Sequence, residues 1–203
     1  IELYNPGPTE VDLANWILRS TDGTPNITLT SFLTSNIIPA GGYFLLERTA
    51  NTTVNNIPAD YIYTGALNDA GEVLELLDNF GTLIDTANFG GGAWPAGTPA
   101  GTVTTRCSLE RIGPLLDEPS SWTTSTITNI GFDVDGNAIC GSPKAQNSQF
   151  ITPTVTPTPP EWQRRILINE VAWGGTQADD TLAQWIELYN PGDDLDLTGL
   201  YLR

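Results

Sequence analysis

The chain has 203 residues, with 8 Lys and Arg against 24 Asp and Glu, a formal net charge of -16 and a pI near 4.1. That balance excludes a nucleic-acid binder and docking on an anionic membrane, both of which draw affinity from clustered cations. The sequence has no His, which removes Ser-His-Asp and Cys-His catalysis, His-ligated zinc and an imidazole pH switch.

Short apolar and period-2 runs recur along the chain, separated by turn residues. They predict strands at Ile1–Tyr4, Trp16–Arg19, Ile27–Phe32, Tyr43–Arg48, Val73–Leu77, Leu83–Asn88, Thr105–Glu110 and Ile166–Ala172. The turn signals are Asn5-Pro6-Gly7, Asp22-Gly23, Ala40-Gly41-Gly42, Asn79-Phe80-Gly81 and Asp135-Gly136. Asp78-Asn79-Phe80-Gly81 joins two of the strands as a hairpin. No segment keeps a 3.6-residue period over three turns. The pattern predicts an all-β, immunoglobulin-like β-sandwich, with Trp16, Phe44, Leu46, Leu74, Leu76, Ile84, Leu109 and Trp122 in its core. No apolar run approaches the ~20 residues of a membrane-spanning helix, so no membrane insertion is expected in this segment.

Residues 1–19 and 186–203 repeat one another. With one gap opposite Pro8, 11 of 18 aligned positions are identical, and both copies open on the same seven residues, IELYNPG. Between the copies lies TPTVTPTPPEW at 152–162, where Thr-Pro alternation reads as a semi-extended spacer. The expected division is a first domain at 1–151, a linker at 152–164 and the opening strands of a second repeat at 165–203. The chain opens on Ile1-Glu2-Leu3-Tyr4 without a Met, which reads as mid-domain. It is expected to be a piece of a longer protein.

Cys107 and Cys140 are the only two cysteines. In a secreted setting they are expected to form a disulfide. The alternative is two buried free thiols.

The motifs resemble those of the bacterial lamin-tail domain family. The opening is Ile168-Asn169-Glu170-Val171-Ala172-Trp173, followed by Gln184-Trp185-Ile186-Glu187-Leu188-Tyr189-Asn190-Pro191. The first domain carries the later landmarks: Asp12-Leu13-Ala14-Asn15-Trp16, then Ile38-Pro39-Ala40-Gly41-Gly42-Tyr43 running on through Arg48, and Gly71-Glu72-Val73-Leu74-Glu75-Leu76. Trp94-Pro95, Ser108-Leu109-Glu110-Arg111 and Gly141-Ser142-Pro143 follow. The resemblance implies an immunoglobulin-like sandwich, present in tandem copies, with no catalytic role. The family begins with the Ile-Asn-Glu-Val strand, and none precedes Ile1 in this chain.

Several constellations carry competing readings. Asp133-Val134-Asp135-Gly136-Asn137 matches the start of a calcium loop, which makes Asp133, Asp135 and Asn137 candidate ligands. The match then fails at Ala138 and Lys144, and a plain Asp-Gly turn is the other reading. Apart from this calcium no cofactor is expected. Acidic clusters at Asp179-Asp180 and Asp193-Asp194-Asp196 read as loop surface or weak cation sites. Trp94 is either a structural plug or an exposed aromatic for carbohydrate. No pair among the 24 acids is singled out for glycoside hydrolysis. Lys144 is the sole lysine, with no Ser-x-x-Lys motif around it.

A sandwich without a terminal strand exposes an edge that recruits another strand. The expected donor is Ile166, Leu167, Ile168, Asn169, Glu170, Val171, Ala172 and Trp173. Its expected acceptor is a neighbouring copy, head to tail, or an adjacent repeat in a longer chain. The functional expectation is a non-catalytic structural module of a secreted or cell-surface bacterial tandem-repeat protein, assembling into a fibre or surface layer by β-strand complementation. The alternative is a carbohydrate- or calcium-dependent adhesion module appended to a secreted enzyme.

Overall fold

A computed structural model of the chain describes residues 1–98 and 106–151, together with the backbone of 167–172 and 185–189. The chain divides into two compact units, Ile1–Thr152 and Pro153–Arg203. The Thr-Pro stretch and the acidic clusters at 179–180 and 193–196 lie outside the described residues.

Within the first unit, the strands are β1 (Glu2–Tyr4), β2 (Val11–Asp12), β3 (Ile17–Ser20), β4 (Asn26–Thr28), β5 (Ile37–Ile38), β6 (Tyr43–Arg48), β7 (Tyr61–Tyr63), β8 (Leu74–Leu77), β9 (Leu83–Ala87), β10 (Leu109–Arg111) and β11 (Trp122–Thr124). The described part of the second unit holds β12 (Leu167–Ala172) and β13 (Trp185–Tyr189). No helix among the described residues is long and apolar enough to cross a membrane.

The fold is an immunoglobulin-like β-sandwich. One sheet has the order β4-β3-β8-β9 and is antiparallel throughout. The other has the order β1-β6-β7, with β1 antiparallel and β7 parallel to β6. Alternation sends Leu18 and Ile27 from the first sheet, and Phe44, Leu46, Tyr61 and Tyr63 from the second, into one buried cluster with Leu13, Leu29 and Ile38. Two-stranded pairs β2-β5 and β10-β11 flank the sandwich.

β6 is buried on both faces because both are covered. Phe44 and Leu46 face the core, whereas Leu45 and Glu47, also buried, face the opposite side. There the 49–60 loop is docked through Glu47, whose carboxylate accepts the Thr53 and Val54 N–H groups at 2.9 and 3.3 Å. The segment 125–151 lies over the same face, with Lys144 on Glu2 and Asp60 and Phe150 edge-on to Tyr4.

The expected core is partly corrected. Phe44, Leu46 and Leu74 are buried. Trp16 and Leu76 are half-buried against the core cluster. Leu109 and Trp122 are half-buried in the β10-β11 pair. Ile84 is 49% exposed. It sits on β9, the outermost strand of its sheet, and the core stops at β8. The hairpin at 78–82 is present: Asp78 Oδ1 accepts the Phe80 and Thr82 N–H groups, and Gly81 takes φ +82°.

Candidate functional site

The edge of β1 comes directly from the repeated heptapeptide. Ile1 and Leu46 exchange backbone hydrogen bonds of 3.0 and 2.8 Å, and the Asn5 N–H donates to the Gly42 carbonyl at 3.0 Å. Antiparallel pairing alternates, so the backbone groups of Glu2 and Tyr4 point away from β6. β1 is the outer strand of its sheet, and among the described residues no strand lies on that side. Asn5 ends the strand. Its buried amide reaches the Thr9, Ile38 and Pro39 carbonyls at 2.8, 3.1 and 3.1 Å, and its oxygen accepts the Gly7 N–H. These bonds explain the asparagine of the motif.

The second unit places the same motif in a pair. β13 contains the second Ile-Glu-Leu-Tyr and runs antiparallel to β12, with Leu167 opposite Tyr189, Ile168 opposite Leu188, and Val171 opposite Ile186. An irregularity falls between Ile168 and Glu170. The residues expected to be donated, Leu167 to Ala172, are thus the partner of their own repeat's β13. Ile166 and Trp173 lie outside the described residues.

Over β1 sits a cluster that sequence reasoning did not assemble. Lys144 Nζ lies 2.8 and 2.9 Å from the two carboxylate oxygens of Asp60. Asp60 Oδ1 also accepts the Thr34 hydroxyl at 2.6 Å, and Oδ2 accepts the Leu45 N–H at 2.8 Å. Glu2 Oε2 accepts the backbone N–H of Lys144 at 2.6 Å. Burial pushes the Glu2 carboxyl up to about 7, and the field of Asp60 adds to the rise. The Lys144 N–H, the Ile1 ammonium and the Lys144 positive charge oppose it. Lys144 itself sits at φ +54°, a left-handed conformation that a side-chain-bearing residue adopts at some cost. The one available signal in the sequence was that a chain with 24 acids has a single lysine.

The candidate calcium residues lie in a turn that closes on itself. Asp133 Oδ1 accepts the Asp135 and Asn137 N–H groups at 3.0 and 2.8 Å, and Oδ2 accepts the Asn137 amide at 3.1 Å. Its carboxyl is held below the ordinary range, mainly by Asn137. This arrangement is an Asx turn, whose oxygens are already used by the loop's own donors. Among the described residues no group of three or more Cys, Asp or Glu converges as a metal site. Trp94 is half-buried, and its Nε1 donates to the Asn68 carbonyl at 2.9 Å.

Cys107 and Cys140 form a disulfide, and the two residues also make a parallel bridge. The segment that follows Cys140 is further tied down by Glu110. That carboxylate is buried and accepts Ser142 Oγ at 2.7 Å, and Ser148 N and Oγ at 2.9 and 2.7 Å.

Residues 1–91 match the model of the Lamin Tail Domain, an immunoglobulin-like family whose members are non-catalytic modules. No curated protein and no solved structure matches the chain.

Proposed function

We propose, from the match of residues 1–91 to the lamin-tail family, that the chain is a structural module of a secreted or cell-surface tandem-repeat protein whose modules associate by β-strand complementation. The observation that carries this reading is the pairing of the repeated heptapeptide. In the second unit Ile-Glu-Leu-Tyr has the strand Leu167–Ala172 beside it, while in the first unit the same residues form the outer edge β1. The strand at 167–172 therefore has two landing sites with the same sequence, its own β13 and the β1 of another copy. Exchange between chemically matched sites costs little free energy, which is the condition for strand swapping. A head-to-tail exchange that does not close on itself propagates as a fibre. The disulfide supports an oxidising compartment.

The test is the mass of the purified chain by size-exclusion chromatography with light scattering across a hundredfold dilution. The reading expects a concentration-dependent ladder of species that disappears when residues 167–172 are deleted. A sharp monomer at every concentration, or a ladder that survives the deletion, overturns it.

A further inference from the structure

We propose that Lys144 and Asp60 are joined by an autocatalytic isopeptide bond, with Glu2 as the acid–base group that drives its formation. The proposal rests on the juxtaposition of three side chains from distant parts of the sequence. Lys144 Nζ touches both oxygens of Asp60, at 2.8 and 2.9 Å, and the Glu2 carboxylate accepts the backbone N–H of the same lysine at 2.6 Å, near enough to feel the charges of both Lys144 and Asp60. The Asp60 side chain is 10% exposed and that of Lys144 27%.

An ordinary ion pair has no use for the third group. A second carboxyl set into the same half-buried place repels the charge of Asp60 and loses its own hydration. Amide formation does have a use for it. The reaction needs an amine held against a carboxyl carbon, donors that stabilise the oxygen as it takes on charge, and an acid to deliver a proton to the leaving hydroxyl. The Thr34 hydroxyl and the Leu45 N–H already donate to the two oxygens of Asp60. Glu2, which titrates near 7, is present in both forms at neutral pH and can give a proton and take one back.

The step balances within the cluster. A proton passes from the Lys144 ammonium to the Asp60 carboxylate. The freed electron pair on Nζ attacks Cγ. Glu2 gives its proton to one oxygen of the tetrahedral adduct, the Cγ–O bond breaks, and one water departs. Glu2 then recovers a proton from the nitrogen, leaving a neutral Nζ–Cγ amide. No oxidant, metal or co-reactant is consumed. The long lysine stem lets Nζ move from the carboxylate oxygens to the carbon. The product ties the segment over β1 covalently to the residue preceding β7, 84 positions earlier in sequence.

The intact mass of the full chain tests this directly. The expected value is one water below the sequence mass after the disulfide is reduced. The sole lysine provides a second readout. A protease specific for lysine cuts the unfolded, reduced chain once if Lys144 is free, and fails to cut if its amine is acylated. Lys144→Arg, which keeps the positive charge and the ion pair, is expected to show the full sequence mass. Glu2→Gln is expected to lose water roughly a hundredfold more slowly. Full sequence mass in the wild type, with cleavage after Lys144, overturns the bond. Loss of water in Glu2→Gln at the wild-type rate overturns the role of Glu2.

Discussion

At the residue scale, two glutamates, Glu2 half-buried and Glu110 buried, move in opposite directions. Glu2 has a single hydrogen-bond donor, with the Ile1 and Lys144 charges, against its burial, and is raised to about 7. Burial acts on Glu110 in the same upward sense, but hydrogen bonds from Ser148, Ser142 and Ser125 outweigh it, and the carboxyl is held below its ordinary 4.5. The count of donors aimed at the charge decides the sign. Glu110→Gln replaces one accepting oxygen by an NH2 that meets hydroxyl and N–H donors. At pH 7 it is expected to cost about 1–3 kcal/mol of folding stability. The folded-state pKa of Glu110 lies below the unfolded one. Its stabilisation is therefore present above about pH 4.5 and fades as pH falls through the folded value. The deficit of the variant should shrink accordingly in acid. Urea unfolding of both proteins at pH 7 and at pH 3.5 checks this, and a deficit independent of pH would contradict it.

At the scale of elements, edge strands decide most of what is distinctive. β9 closes one end of its sheet, and its outer side is capped by side chains. Asp117 accepts the Asn88 and Phe89 N–H groups at 3.2 and 2.7 Å and the Thr86 hydroxyl at 2.8 Å, while Arg111 donates to the Thr86 carbonyl at 2.6 Å. Trp122 holds the cap in place. Its Nε1 donates to Asp117 at 2.7 Å and its ring lies 4.6 Å beneath the Arg111 guanidinium. The cap borders a shallow groove of about 410 Å³ lined by Leu83, Ile84, Phe89, Leu115 and Leu116. An uncapped strand beside exposed apolar side chains is an aggregation site. Asp117→Ala is expected to destabilise by roughly 2–4 kcal/mol, since several donors lose their acceptor together. It should also turn a clear solution turbid on mild heating, well before the wild type. Turbidity unchanged from wild type would mean that the cap does not guard the edge.

The strands legible from sequence were those with a local signature. Tyr43–Arg48 forms over the expected residues, and the Asp78–Gly81 hairpin carries its own turn chemistry. β7 escaped because Tyr61–Tyr63 is three residues long and pairs in parallel with β6, a contact that no adjacent turn announces. β2, β5 and β11 are two or three residues each, too short for a period to register. The Glu2–Asp60–Lys144 cluster was illegible for a related reason. Its members come from β1, from the residue before β7 and from the segment after the disulfide, and only the third layer over β6 brings them together.

For the whole molecule, the question is what holds that third layer. The disulfide closes a span of 33 residues, and in the chain-entropy view it stabilises the folded unit by about 3–4 kcal/mol. It is not the layer's sole attachment. Ser142 and Ser148 bind Glu110, Lys144 binds Glu2 and Asp60, and the Ile151 N–H donates to the Ile112 carbonyl at 2.6 Å. These contacts spread along the segment and need no sulfur. Reduction should therefore weaken the fold without releasing the segment. The unfolding midpoint is expected to fall by several degrees in the presence of a strong thiol reductant, following the usual relation between stability and midpoint for a domain of this size. Native-state proteolysis of 125–151, compared with and without reductant at room temperature, should show no new cleavage. Rapid nicking there after reduction would mean that the cystine alone pins the layer, and that the polar contacts around Glu2 and Glu110 form only because the bridge has already brought the segment down.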